Sequence, residues 1–139
     1  MNRTRLSRQL EVDEGRRRRL YRDTVGKLTI GVGRNIEDRG LRDDEIDLML
    51  SNDIDEAISI AKSLIINFDQ LDDVRQEVVT NMALNLGATR LAGFKQFIGA
   101  LARFDFQRAT AEMMSSKWYE QVGDRGKRLA YAMREGRFE

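Results

Sequence analysis

The chain has 139 residues, with 24 Lys and Arg against 23 Asp and Glu, 41% hydrophobic and 34% charged residues, and neither histidine nor cysteine. A chain of this length holds one ordinary core, so a single domain over 1–139 is expected. Without Cys or His it has no disulfides, Cys/His zinc sites, Ser-His-Asp triads or Cys-His dyads, which leaves chemistry to carboxylates, hydroxyls, Lys or Tyr. An all-carboxylate Ca²⁺ or Mg²⁺ site remains allowed, but there is no Asp-x-Asp-x-Asp-Gly loop, so no metal and no cofactor are expected.

Residues 4–14 place Leu6, Leu10 and Glu14 four apart on one helical face, and Gly15 stops the helix. Glu14 therefore falls in the last turn, where an acid opposes the helix dipole at a local cost. From Arg19 the period changes. "RLYRDT" and "KLTIGVG" flank Val25-Gly26 with aromatic and β-branched residues, the pattern of a β-hairpin with glycine at its turn. Gly31 and Gly33 alternate with Ile30 and Val32, which bares one strand face to close approach. "RNIEDRG" reads as a loop or a short irregular strand ending at Gly40.

Residues 43–66 return to helical spacing, with Ile46, Leu50, Ile54, Ile58 and Ala61 on one side and acids on the other. Such a helix would be about 35 Å long, enough to connect two lobes of a small domain. Arg42 stands where a Ser or Thr cap is usual, leaving Asp43 or Asp44 to satisfy the helix N-terminus. Asp69 or Asp72 can cap a helix over 72–86 that ends before Gly87. Its uncharged half, "VVTNMALNLGAT", predicts a central helix wrapped on all sides. The apolar positions from Leu91 to Met133 then predict three or four short helices broken near Gly93, Asp105, Ser115 and Gly123, with Trp118 in the core. The fold class is α+β, mainly α: an N-terminal helix and small antiparallel β-lobe over 1–40, a connecting helix over 43–66, and a helical lobe over 69–139.

No run approaches the roughly 18 apolar residues of a membrane helix, and "MNRTRLSRQLEVDEG" lacks the apolar stretch of a secretory signal. The expectation is a chain made and folded in the cytoplasm, without stable membrane insertion. A net charge of +1 hides segregation: residues 1–22 hold eight Arg against three acids, 37–77 thirteen acids against four bases, and 90–139 ten bases against six acids. Charge alone leaves open complementarity within one fold and a basic face for a polyanion, nucleic acid or anionic envelope. No recognition-helix motif supports nucleic acid.

Glu14, Asp23 and Thr29 follow the spacing Glu-x8-Asp-x5-Thr, and a helix end followed by a hairpin folds back, so the two carboxylates can flank a substrate-sized gap. Two carboxylates in different environments suit glycosidic bond cleavage, one protonated to donate to the leaving oxygen and one ionised. Thr29 could hold a water or orient Asp23. The plainer readings are a surface ion pair for Glu14, a turn acid for Asp23 and an ordinary strand residue for Thr29.

At these residues the chain resembles the T-even type of bacteriophage lysozyme, glycoside hydrolase family 24. "LEVDEG" with "YRDTVGKLTIGVGR" resembles the family's N-terminal catalytic segment, "LDDVRQEVVTNMALNLGATRLAGF" its central helix, and "SSKWYEQVGDRGKRLAYAMREGRF" its C-terminal helices. The resemblance implies a two-lobed lysozyme-like fold and a peptidoglycan-hydrolysing muramidase that cleaves the bond following N-acetylmuramic acid, usually with inversion. By position it makes Glu14 the general acid, Asp23 the second carboxylate and Thr29 the completing threonine. It sets Arg125 beside the glutamate, a pairing that favours the ionised acid and that burial would have to oppose. Leu84 and Asn85 are implied in the substrate cleft, and Asn35 beyond the hairpin. Arg34 departs from the family by replacing a histidine, and the chain between hairpin and long helix is short.

The expectation is thus a monomeric endolysin acting on peptidoglycan glycan strands and reaching the wall through a holin-type lesion. Its rivals are an inactive binding or structural phage component of the same fold, a lytic transglycosylase, and a nucleic-acid-binding domain.

Overall fold

The computed structural model describes residues 1–139, which form two compact units, Met1–Leu48 and Met49–Glu139. In the first, helix α1 (Arg3–Glu14) begins at Asn2, whose side chain accepts from the Arg5 amide at 2.9 Å, and ends at Gly15 with φ 79°. Strands β1 (Arg17–Arg22), β2 (Leu28–Gly31) and β3 (Arg34–Asn35) follow as an antiparallel sheet in the order β1-β2-β3. Tyr21 pairs with Thr29 and Arg17 with Gly31, so the register of β1 shifts within the arginine run.

"RNIEDRG" is neither a loop nor a strand throughout. After β3 it closes into a one-turn helix, α2 (Ile36–Arg39), because Asn35 caps it: its Oδ1 accepts from the Asp38 amide and its Nδ2 donates to Asp38 Oδ2, both at 3.0 Å. Helix α3 (Asp43–Leu64) starts where expected, but Glu45 serves its N-terminus. Glu45 Oε1 accepts from the Arg42 amide at 2.8 Å, the returning half of a capping box, which replaces the expected work of Asp43 or Asp44.

The second unit holds a 3-10 turn at Phe68–Gln70, then α4 (Asp73–Ala92), α5 (Lys95–Ala102), α6 (Phe106–Met114), α7 (Lys117–Val122) and α8 (Asp124–Glu135). Asp72 caps α4 by accepting from the Arg75 amide at 3.2 Å. Gly87, at φ 78° and ψ 171°, interrupts α4 instead of ending it, and the helix resumes to Ala92. The short helices break at the expected positions. The core packs Val78, Val79, Met82 and Leu86 of α4 against Phe97, Leu101, Met113, Trp118, Leu129 and Met133. Helix α4 is not wrapped on all sides, since Asn81, Leu84 and Asn85 are exposed.

Arg75 ties α4 to the end of α8. Its Nε donates to the Met133 carbonyl at 2.7 Å, its Nη2 to that of Arg134 at 3.0 Å, and its guanidinium lies 3.7 Å from the Phe106 ring centre. By contrast, the unit Met1–Leu48 buries no apolar side chain fully; its one buried residue is Thr29. Ladder hydrogen bonds, caps and ion pairs hold it together. No helix of the chain is long and apolar enough to cross a membrane.

Candidate active site

Four of the sequence-predicted residues, Glu14, Asp23, Thr29 and Asn35, lie in the unit Met1–Leu48. Glu14 closes α1 and is exposed, not buried. Its carboxylate lies against Gly33 in the β2–β3 turn, where a Cβ would fall 2.8 Å from Oε2.

Asp23 occupies the β1–β2 turn, the other end of β2. Its Oδ1 accepts from the amides of Val25 at 3.0 Å and Lys27 at 2.8 Å, which leaves Oδ2 uncommitted. The turn acid and the reactive carboxylate are therefore compatible readings of one residue, because two amides fix one oxygen while the other is presented. Thr29 is tied to Asp23 through one carbonyl. The Thr29 hydroxyl donates to Lys27 O at 2.9 Å, and the Asp23 amide donates to the same oxygen at 2.9 Å.

Lys27 and Arg34 fasten this turn region to the acids that follow it. The Lys27 ammonium lies 3.2 Å from Asp38 and 3.3 Å from Glu37, and these carboxylates, Asp38 foremost, raise its pKa above the ordinary lysine value. Arg34 makes a bidentate pair with Glu45, at 2.8 and 2.6 Å, and also donates to Gly40 O at 3.3 Å. The guanidinium, followed by the Arg42 amide, lowers the Glu45 pKa to about 2. The histidine departure is thus rebuilt as a permanent cation on the first turn of α3. Asn35 pairs with Thr29 across the ladder and spends its side chain on capping α2.

In the helical unit, Leu84 and Arg125 share a groove of about 670 Å³ whose apolar wall includes Ile54, Ile58 and Phe68. Arg125 is held by Asn81, whose Oδ1 accepts from Nε at 2.9 Å and Nη2 at 2.7 Å. Asn85 is exposed and its Oδ1 accepts from Trp118 Nε1 at 2.8 Å, while Trp118 itself is core, as expected. Sequence reasoning missed Asn81 and Glu45. Asn81 stands four residues before Asn85 on the uncharged run, which is the one signal that could have singled it out.

The profile of the family described as phage lysozyme matches residues 11–135, which include every element from the end of α1 to the end of α8. The chain belongs to the phage lysozyme family. Among similar proteins are a probable T4-type lysozyme 2 of Dictyostelium discoideum, 23% identical with 94% of each chain covered, and a probable T4-type lysozyme 1 of the same organism, 23% identical over 91% of this chain and 92% of the other. The pre-baseplate central spike protein Gp5 of Enterobacteria phage T4 is 25% identical over 96% of this chain, which spans 28% of that protein. As a phage lysozyme, the chain is a lysozyme-like glycosidase by family, with the α+β, mainly helical fold that its eight helices and small antiparallel sheet display.

Proposed function

We propose that this chain, as one lysozyme domain over 1–139, hydrolyses the β-1,4 bond between N-acetylmuramic acid and N-acetylglucosamine in peptidoglycan, with Glu14 as general acid and Asp23 as general base. The observation that carries this reading is the placement of Glu14 and Asp23 at opposite ends of β2, with Thr29 on the strand between them. Direct attack of water with inversion is the outcome taken here, as is usual for the family that the chain resembles.

In this mechanism Glu14 gives its proton to the leaving glycosidic oxygen. A water on the opposite face of the sugar gives its proton to Asp23 Oδ2 and attacks the anomeric carbon, so one bond breaks, one forms and the products carry a free reducing end. Thr29 acts as a positioning residue: its hydroxyl proton is committed to Lys27 O, and that carbonyl also receives the Asp23 amide. Arg125 and Leu84 bind the glycan in their groove, and the free Nδ2 of Asn85 offers a further donor. Asn35 supports the sheet. The chain acts as a monomer, without metal or cofactor, and reaches the wall from the host cytoplasm through a holin-type membrane lesion.

Loss of turbidity of outer-membrane-permeabilised cells, with wild type beside Glu14→Gln, tests the assignment, and product masses separate a reducing end from the anhydro end of a transglycosylase. The likeness to part of a phage spike protein favours a second reading, in which the same domain serves a virion as a binding or structural component. A folded wild type that clears no cells would support it.

A further inference from the structure

Gly31 ends β2 and Gly33 lies in the β2–β3 turn, so they do not share a strand face, and only one of them is closely approached. A Cβ on Gly33 would lie 2.8 Å from Glu14 Oε2, 3.0 Å from its Cδ and 3.1 Å from its Cγ, whereas one on Gly31 would meet nothing within 4 Å. Both residues have φ 70°, so they share the left-handed backbone that disfavours any side chain. What separates them is the Glu14 carboxylate. Within the unit Met1–Leu48 that carboxylate accepts no hydrogen bond and joins no ion pair, and its residue is the last of α1, followed by the turn at Gly15. The backbone of Gly33 is the surface it lies against.

We propose that Gly33 is a positioning residue for the reaction: the absence of a side chain there forms the seat of the Glu14 carboxylate and sets where its proton is delivered. Its catalytic consequence rests on the reading of Glu14 as general acid, while the seat itself does not. The smallest side chain at position 33 must push the carboxylate aside, because no pair of heavy atoms tolerates 2.8 Å between a methyl carbon and a carboxylate oxygen. A displacement of about 1 Å in a reacting group can cost on the order of 100-fold in rate.

Gly31→Ala and Gly33→Ala make the test, with Glu14→Asp alone and combined with each. Both alanine variants are strained by a positive φ and should lose thermal stability. Only Gly33→Ala should lower kcat on purified peptidoglycan, on the order of 100-fold, with KM little changed. Aspartate at position 14 is one methylene shorter, so Glu14→Asp should cost far less in the Gly33→Ala background than in the wild type, a rescue that general destabilisation would not give. The side-chain carboxyl resonance of isotope-labelled Glu14 should move in Gly33→Ala and stay in place in Gly31→Ala. Equal turnover of the two alanine variants with an unmoved Glu14 resonance would overturn the proposal. Should the wild type turn over no peptidoglycan, the resonance decides alone: a shift confined to Gly33→Ala keeps the seat and removes the hydrolase reading.

Discussion

Thr29 is the one fully buried residue of its unit, and its hydroxyl spends its proton on the carbonyl that also receives the Asp23 amide. Thr29→Val keeps the shape and removes the donor, so it should loosen the Asp23 turn by about 1 kcal/mol and reduce kcat, while Thr29→Ser should retain most activity. Comparing kcat of the two variants with their thermal midpoints checks this. Arg75 carries a heavier structural duty, since it serves two terminal carbonyls of α8, the Asp72 carboxylate and the Phe106 ring at once. Arg75→Ala should cost about 2–4 kcal/mol and lower the midpoint by roughly 7–14 °C, with Arg75→Lys only partly restoring it, as a scanning calorimeter would show. Glu14, Asp23 and Thr29 could be singled out together because they lie within one short, ordered stretch. The Arg125–Asn81 and Arg34–Glu45 pairs were not, because they join residues 44 and 11 positions apart, and nothing in either partner's own neighbourhood announces the other.

Among elements, the long periodic helices and the hairpin could be read directly, because each repeats its pattern over several turns or several alternations. Helix α2 could not, since its four residues are fewer than one clear period and Asn35 makes it by capping. Nor could the sequence show that Gly87 interrupts α4 without ending it, because the apolar spacing continues on both sides. The first turn of α3 binds the β-region through Arg34 and Glu45, and this link has a definite pH dependence. The Glu45 pKa lies at about 2, below its ordinary 4.5, because the Arg34 guanidinium and then the Arg42 amide favour the carboxylate. A depressed carboxyl contributes stability that is fully present above the unfolded pKa and is lost as pH falls through the folded one. The unit Met1–Leu48 should therefore weaken between about pH 4.5 and pH 2, and Glu45→Gln should remove most of that slope while lowering stability at neutral pH. Amide hydrogen exchange of β2 and β3 at a series of pH values measures it. An unchanged slope in Glu45→Gln would assign the acid sensitivity to other carboxylates.

For the molecule as a whole, the basic N-terminal stretch resolves into a sheet edge. Arg17, Arg18 and Arg19 lie on β1, an outer strand, where exposed cations discourage edge-to-edge pairing. Arg16 is paired with Glu11 at 2.8 Å and Arg17 lies 5.0 Å from the Tyr21 ring centre, so Arg18 and Arg19 hold the freest charge of the run. Replacing Arg18 and Arg19 by Gln should leave catalysis intact at moderate salt and flatten the salt dependence of wall lysis, as clearing rates across a salt series would show. Loss of activity at every salt concentration in a folded variant would give these arginines a larger role. The central claim is that a phage lysozyme lacking His and Cys works through Glu14. It is tested most directly by clearing of permeabilised cells with wild type and Glu14→Gln at matched fold and concentration. The account predicts rapid clearing by the wild type and a loss on the order of 100- to 10,000-fold in the variant, the range of a general acid; equal clearing by both would contradict it.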